Sequence, residues 1–402
     1  MDSYRLYLGA RVIWAICWSS MVTINLVFMV EVAGLDPLQM VLVGTVLEFS
    51  VFVFEIPTGV LADAVSRRLS VIVGHAIVGA GFLIIVVWPN FYAILLSQMI
   101  WGFGYTFISG AYAAWVSSEL GVSRANEAFL RGSQLSHAAA LVGIVIAVAL
   151  AHISLALPIA AGAIGLIGLA IGLSLFMREG NFRPTVLQDR DTWKVMRTTL
   201  ISGVSEIRGR PVLISMLVIT MVFGMFSEGI DRLFTPYLIE SFEFPTLGPL
   251  GSVTWWGVIA AVASLFGLAA TTIARSRVNL EDQFRLTHLL SLLLLGVSAG
   301  VLALANVDSF VVVLACYWLV GALRSAYGPL MTAWLNRLLP EETKATLFSM
   351  YGQADAIGQS LGGPMVGALA KYVSIGFALG ISALSLLPTL PLYKRMSRQL
   401  QS

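Results

Sequence analysis

Twelve apolar runs of membrane-crossing length divide this chain of 402 residues, and no other feature narrows its fold as much. A helix rising 1.5 Å per residue needs about 20 apolar residues to cross a hydrocarbon layer about 30 Å thick. The runs fall at residues 7–32, 38–62, 69–88, 91–118, 129–151, 154–177, 211–240, 251–273, 286–305, 310–335, 345–370 and 375–392. Only 11% of the residues are charged, against about 25% in soluble domains, so the chain reads as an all-α integral membrane protein. A net charge of +2 gives no reason to expect nucleic acid as a partner. The first run continues from Val12 to Val30, longer than the apolar core of a signal peptide, and is kept as a span. Cys17 and Cys316 both lie in apolar runs and read as small core residues.

The basic residues set the expected orientation. Of 24 lysines and arginines, Arg232 and Arg324 fall inside spans and Lys371 in an outer loop. The others lie at or near the N-terminus, the even-to-odd loops and the C-terminus, while the loops after Val32, Trp88, Ala151 and Ala305 carry none. Cytoplasmic loops are the basic ones, so both termini are expected in the cytoplasm. Residues 178–210 form the one long polar interruption, with Arg178, Arg183, Arg190, Lys194, Arg197, Arg208 and Arg210. They read as a cytoplasmic linker, with a short surface helix near residues 192–207, between bundles at 1–177 and 211–402.

These halves repeat. Gly102 and Trp115 in GFGYTFISGAYAAW match Gly321 and Trp334 in GALRSAYGPLMTAW. At nearly the same offset, about 220 residues, Arg124-Ala125 matches Lys344-Ala345 and Gly132 matches Gly352. Gly59 and Arg67 have weaker counterparts in Gly267 and Arg275. A near-constant offset over separate segments points to duplication.

Between the second and third runs stands EIPTGVLADAVSRRLS, residues 55–70. Its Gly59-x-Leu61-Ala62-Asp63-x-x-x-Arg67-Arg68 resembles the loop signature G-x-L-A-D-R-x-G-R-R/K of the major facilitator superfamily, with Ala64 and Ser66 departing from it. The DRLF string at Asp231 resembles some bacterial efflux members of that superfamily, the drug/proton antiporter type. The resemblance implies twelve transmembrane helices in two pseudo-symmetric six-helix bundles and transport by alternating access. It also implies that Gly59, Asp63, Arg67 and Arg68 form a conformational latch, the acid bonding charged groups and the N-terminal end of a neighbouring helix. The superfamily's Gly-Pro-rich fifth-span string has no counterpart in GSQLSHAAALVGIVIA; Gly-Gly-Pro occurs in the eleventh span, and Gln98 stands where a fourth-span Arg is usual.

Charged residues inside the runs are the next candidates, because a charge in hydrocarbon needs a function or a partner. Glu48 lies deep in the second span, with no basic residue found at matching depth in that half, and is expected to be neutral and able to carry a proton or line a wet cavity. Glu55 lies nearer the cytoplasmic end, beside Pro57, where a structural role competes with proton coupling. Arg324 and Asp355 reach the midplane on consecutive spans and are expected to pair. Glu228 and Arg232, four apart in SEGIDRLF, can meet on one helix face, with Asp231 adjacent. They read as an outer gate, a proton relay or a self-neutralised cluster.

Tyr105, Tyr112, Trp115, Tyr327 and Trp334 offer aromatic walls, and Gln134 and His137 offer polar contacts, to a substrate; packing explains each aromatic as well. His75 reads as a packing site. No metal cluster, phosphate loop or nucleophile constellation is recognised, so no cofactor, no ATP drive and no enzymatic activity are expected. The expectation is a monomeric transporter in a bacterial cytoplasmic membrane, exporting small amphipathic compounds against inward proton flow. Import or exchange of a nutrient, siderophore or lipid-like metabolite is the alternative, and a non-transporting sensor or scaffold a distant one.

Overall fold

The computed structural model describes residues 2–182, 209–246, 251–279, 281–339 and 344–399. Thirteen α-helices account for nearly all of them, and no strand occurs among the described residues. They are α1 (Ser3–Glu31), α2 (Pro37–Ala64), α3 (Arg67–Val87), α4 (Phe91–Leu120), α5 (Val122–Ala151) and α6 (Ala156–Phe176), then α7 (Pro211–Ser241), α8 (Val253–Arg277), α9 (Gln283–Leu304), α10 (Phe310–Leu338), α11 (Lys344–Tyr372), α12 (Ile375–Leu384) and α13 (Leu390–Gln399). The expected surface helix near 192–207 lies outside the described residues.

Among the described residues eleven segments are long and apolar enough to cross a membrane. The run 375–392 is not one helix: α12 stops at Leu384, and a 3₁₀ turn over Leu387–Thr389 leads into α13. Pro388 and Pro391 each lack a backbone donor, which breaks the ladder there. The combined segment still counts as one crossing. The remaining predicted span, α11, has 29 residues but carries Gln353, Asp355 and Gln359, and falls short on apolarity alone. α5 starts well before residue 129, because α4 and α5 are joined through Gly121 alone. Its φ of 76° is open to glycine at little cost.

The chain divides into two compact units. The first holds α1, α2 from Val46 onward, α3 to α6 and the start of α8 up to Ala260. Within it α1 packs on α5 and α6, and α3 on α4 and α6. Small residues let these backbones approach: a Cβ on Gly143 would lie 2.5 Å from the Ile16 carbonyl oxygen, and one on Gly162 2.6 Å from that of Cys17. Hydroxyls add bonds across helices, Ser19 Oγ donating to Ala140 O at 2.9 Å and Ser97 Oγ to Gly81 O at 2.8 Å.

The second unit holds Asp36–Thr45, α7, α8 from Ala261 and α9 to α13. Here α7 packs on α11 and α9 on α10. The α7–α11 seam is backbone against backbone. Gly358 faces the Met221 carbonyl, Gly224 faces that of Asp355, and a Cβ on Gly362 would lie 2.7 Å from Met225 Cα. The Gly-rich face of α11 thus packs closely on α7, and Pro364 sits inside continuous helix.

Asp36 joins two elements of this unit. Its Oδ1 accepts from Gln39 N at 2.9 Å while Gln39 Oε1 accepts from Asp36 N at 3.0 Å, a reciprocal cap on the start of α2. Its other oxygen accepts from Lys371 Nζ at 2.9 Å, in the last turn of α11 rather than in a loop. Burial pushes the Asp36 carboxyl up, but the Lys371 ammonium and the Gln39 and Leu38 N–H groups outweigh it and hold the group below its ordinary value. A depressed carboxyl contributes stability in full above its unfolded value, about pH 4, and loses it as pH falls through the lower folded value. Asp36→Ala should cost about 1 kcal/mol through the cap. Asp36→Asn keeps a capping oxygen and should cost less, losing mainly the ion pair. Melting temperatures of the purified variants should rank wild type, Asn, Ala at pH 7, and the wild-type advantage over Asn should shrink as pH falls below about 4.

Candidate functional site

Charge is concentrated in three places, two in the first unit and one in the second. At the turn between α2 and α3, Asp63 accepts from Arg67 Nε and Nη2 at 3.1 and 2.9 Å, one helical turn away. Asp63 does not hold a neighbouring helix N-terminus, as the family resemblance implies. That position belongs to Glu179, whose Oε1 accepts from the backbone N–H groups of Arg67 and Arg68 at 2.8 and 3.1 Å, with Oε2 taking the Ser66 hydroxyl at 2.6 Å. Arg68 makes the converse contact. Its guanidinium donates to Ser174 O and Met177 O at 2.6 and 2.7 Å, at the end of α6. A carboxylate thus sits on the positive end of α3 and a cation on the negative end of α6, each favoured by the helix dipole. Gly59 has open space where a Cβ would stand, so no close approach requires glycine there. Arg178, counted with the linker, offers its carbonyl to Trp115 Nε1 at 2.8 Å. Trp115 is buried with this bond made, which removes it from the cavity candidates.

The first unit also carries a cavity of about 510 Å³. Tyr105 and Tyr112, both expected from the sequence, line it, as do Arg11, Tyr7, Trp14 and His75, which were not. Arg11 reads from the sequence as part of a basic N-terminal flank, yet α1 begins at Ser3 and places it more than two turns inside the helix. The first half therefore holds a basic residue within a helix rather than in its flank. His75 is buried, and its Nδ1 lies 2.6 Å from Val71 O. A carbonyl can only accept, so Nδ1 carries a proton. At the cavity edge Ser109 Oγ donates to Glu55 Oε1 at 2.9 Å. Tyr105 lies within electrostatic reach of both Glu55 and Glu48. Glu48 itself is half-buried on α2. Gln134 and His137 are exposed on α5, outside this cavity.

In the second unit Glu228 and Arg232 form the expected pair along α7, Arg232 Nε to Glu228 Oε1 at 3.1 Å. A Cβ on Gly44 would collide with both, so glycine there makes room for the pair. The expected Arg324–Asp355 pair does not form. Arg324 on α10 instead grips Asp231 of α7 through both nitrogens, Nη1 to Oδ1 at 2.6 Å and Nη2 to Oδ2 at 2.7 Å. Parallel fork-to-fork bonds of this kind are stronger than a single contact. The guanidinium also lies over the Phe223 and Phe226 rings, 5.9 and 5.8 Å from their centroids. Asp355 accepts instead from Gln359 Nε2, 2.8 Å away and one turn along α11.

Exposure separates the acids. The Asp231 side chain is 52% exposed and Glu228 only 2%, so the first lies open at the surface of its unit and the second is sealed within it. Asp355 lines a second cavity of about 330 Å³ together with Tyr327, whose hydroxyl meets that of Tyr393 at 2.6 Å. Trp334 is buried and lies outside that cavity. Among the described residues no cluster of histidine, cysteine and acid side chains could hold a metal ion.

Known proteins of the same build are numerous. Residues 6–293 match the model of the Major Facilitator Superfamily. An uncharacterized MFS-type transporter of Bacillus subtilis (strain 168), YxaM, is 24% identical over 373 residues, covering 89% of this chain and 87% of that protein. Among solved structures, a point mutant of the nucleoside transporter NupG superposes with a TM-score of 0.79 at 13% identity, over 98% of this chain and 100% of that one. A POT family transporter in complex with a thioalcohol-conjugated peptide gives 0.76 at 14% identity, over 99% and 96%. A bacterial homologue of the human lysosomal transporter Spinster, inward-facing and unoccupied, gives 0.76 at 13%, over 99% and 98%. At these identities the structures speak for fold alone. The family match spans well over half of the chain, and with the apolar helices that carry it the protein belongs to the Major Facilitator Superfamily, as a multi-pass membrane transporter.

Proposed function

We propose that the protein is a secondary active transporter that exports small amphipathic compounds from a bacterial cell, by alternating access, in exchange for protons moving inward. Two six-helix bundles, 1–177 and 211–402, joined by a linker at 178–210, rock about a site near the membrane midplane. The chain works as a monomer in the cytoplasmic membrane, with both termini in the cytoplasm.

The observation that carries this reading is the Asp231–Arg324 pair. An ion pair between two helices is held by Coulomb attraction, and removing one charge leaves the other without its partner. Protonation of Asp231 removes that charge and frees Arg324 to turn toward another acid, Asp355 being the carboxylate in its electrostatic reach. A group that binds a proton in one state and not in the other biases the equilibrium between states by its full differential energy. Glu228, Glu48 and Glu55 remain further carriers in this scheme, with sealed Glu228 the least accessible. The Asp63, Arg67, Arg68 and Glu179 cluster acts as the cytoplasmic latch, because its bonds tie the α2–α3 turn to the end of α6. Import or exchange of a nutrient, siderophore or lipid-like metabolite is the second reading; solved structures of the same fold are described as nucleoside and peptide transporters.

Reconstitution into proteoliposomes with an imposed pH gradient and a panel of dyes, drugs and metabolites tests the proposal. Cargo should accumulate on the acidic side, and reversal of that direction would establish import instead. Asp231→Asn should lower gradient-driven accumulation at least about tenfold while sparing downhill exchange of the same cargo. Undiminished accumulation in that variant moves the proton site to Asp355. Asp63→Asn, at equal expression, should slow transport several-fold without preventing insertion; wild-type rates would remove Asp63 from the latch.

A further inference from the structure

We infer that the first-unit cavity is a subsite for a monovalent organic anion, a carboxylate carried on an aromatic or alkyl body, held by Arg11 and Tyr112. This rests on the transport reading for its physiological meaning and deepens it by naming the class of cargo.

Three observations lead there. Arg11 lies inside α1 and lines the cavity. No carboxylate among the described residues comes within ion-pair distance of it, whereas Arg67, Arg232 and Arg324 each have one. A guanidinium held inside a membrane helix with no counter-ion among the described residues of its own unit is a site in search of an anion, since it cannot shed its charge by losing a proton. Independently, the Tyr112 side chain is 7% exposed and its hydroxyl has no hydrogen-bond partner. A buried hydroxyl without a partner costs on the order of 1–3 kcal/mol, a cost that a bound acceptor removes. Arg11 and Tyr112 line the same cavity, and the Arg11 charge acts on the Tyr112 hydroxyl, so both donors serve one bound anion in this proposal.

The rest of the lining fixes the body of the ligand. Trp14 and Trp18 stack with ring centroids 5.6 Å apart, and Tyr7 packs edge-on against Tyr112 at 5.4 Å. Such walls accept a flat or chain-like apolar group. A volume of about 510 Å³ suits a small molecule. One cation, with Glu55 bonded to the lining residue Ser109, balances one negative charge better than two. A dianion such as a phosphate monoester is therefore disfavoured.

Isothermal titration calorimetry on the purified full chain in lipid nanodiscs tests the site directly. The probes are 4-phenylbutyrate, its uncharged amide, phenyl phosphate and oleate. The carboxylate should bind and the amide and the phosphate should bind at least about tenfold more weakly. Arg11→Gln should lose at least about tenfold in affinity for 4-phenylbutyrate, Arg11→Lys less, and Tyr112→Phe up to about tenfold, with gel-filtration profile and melting temperature unchanged for Arg11→Lys and Tyr112→Phe. If Arg11→Gln does not fold, Arg11→Lys and Tyr112→Phe decide the matter alone. Oleate outcompeting 4-phenylbutyrate would assign a membrane-borne source, and the reverse order a soluble one; both orders support the anion site. Equal binding of acid and amide, no binding of either carboxylate, or affinity indifferent to Arg11 and Tyr112 would overturn it. Arg11-dependent binding with no cargo moved in vesicles would overturn the transport reading and leave the subsite standing. Vigorous movement of neutral or cationic compounds, untouched by Arg11→Gln, with no anion bound would do the opposite.

Discussion

Hydrocarbon offers no water to a charge, so each ionic group within a span must find its partner in the protein. The charged pattern of this chain is best understood from that single constraint. Arg232 uses Glu228 on its own helix, Arg324 crosses to Asp231 on another, and Arg67 folds back on Asp63. Arg68 finds the carbonyls at the end of α6. Arg11 stands apart, facing hydroxyls and rings in a cavity. Stability accounts for the others well enough; for Arg11 it offers no explanation.

The same constraint governs the backbone. Helices are the form that satisfies every main-chain donor and acceptor without water. They then associate through close contact rather than through the hydrophobic effect. Glycine opposite a carbonyl, as at Gly143, Gly162 and Gly358, is the form that contact takes here. Hydroxyl bonds such as Ser382 Oγ to Phe226 O, 3.0 Å, add orientation at little steric cost.

Much of the fold was legible in the sequence because hydrophobic length is a local property. Each span could be found from its own residues, and the i, i+4 spacing of Glu228 and Arg232 announced their bond. What escaped was non-local or depended on where a helix starts. Arg324 was matched to Asp355 by counting residues from the span ends, and such a count does not tell which acid faces it. Trp115 and Trp334 read as wall residues although both are buried, since an aromatic in a span shows no outward sign of direction. Arg11 was absorbed into a basic flank because α1 begins at Ser3, four residues before the apolar run does. Glu179 lay beyond the last residue of its span and beside Arg178, where a polar residue attracts no attention. The signal available was an acid next to a helix end with free N–H groups elsewhere in the chain, which only the folded arrangement brings together.

The paired ends of α3 and α6 have a polarity that ordinary ion pairs lack. Glu179 and Arg68 address opposite poles of two backbones rather than each other's side chains. Two charged side chains facing each other can be interchanged with little loss, because attraction is symmetric. Here interchange would set an acid against carbonyl oxygens and a cation against amide hydrogens, so both junctions would repel at once. The order of sign along the chain is therefore dictated by the direction in which its peptide groups run.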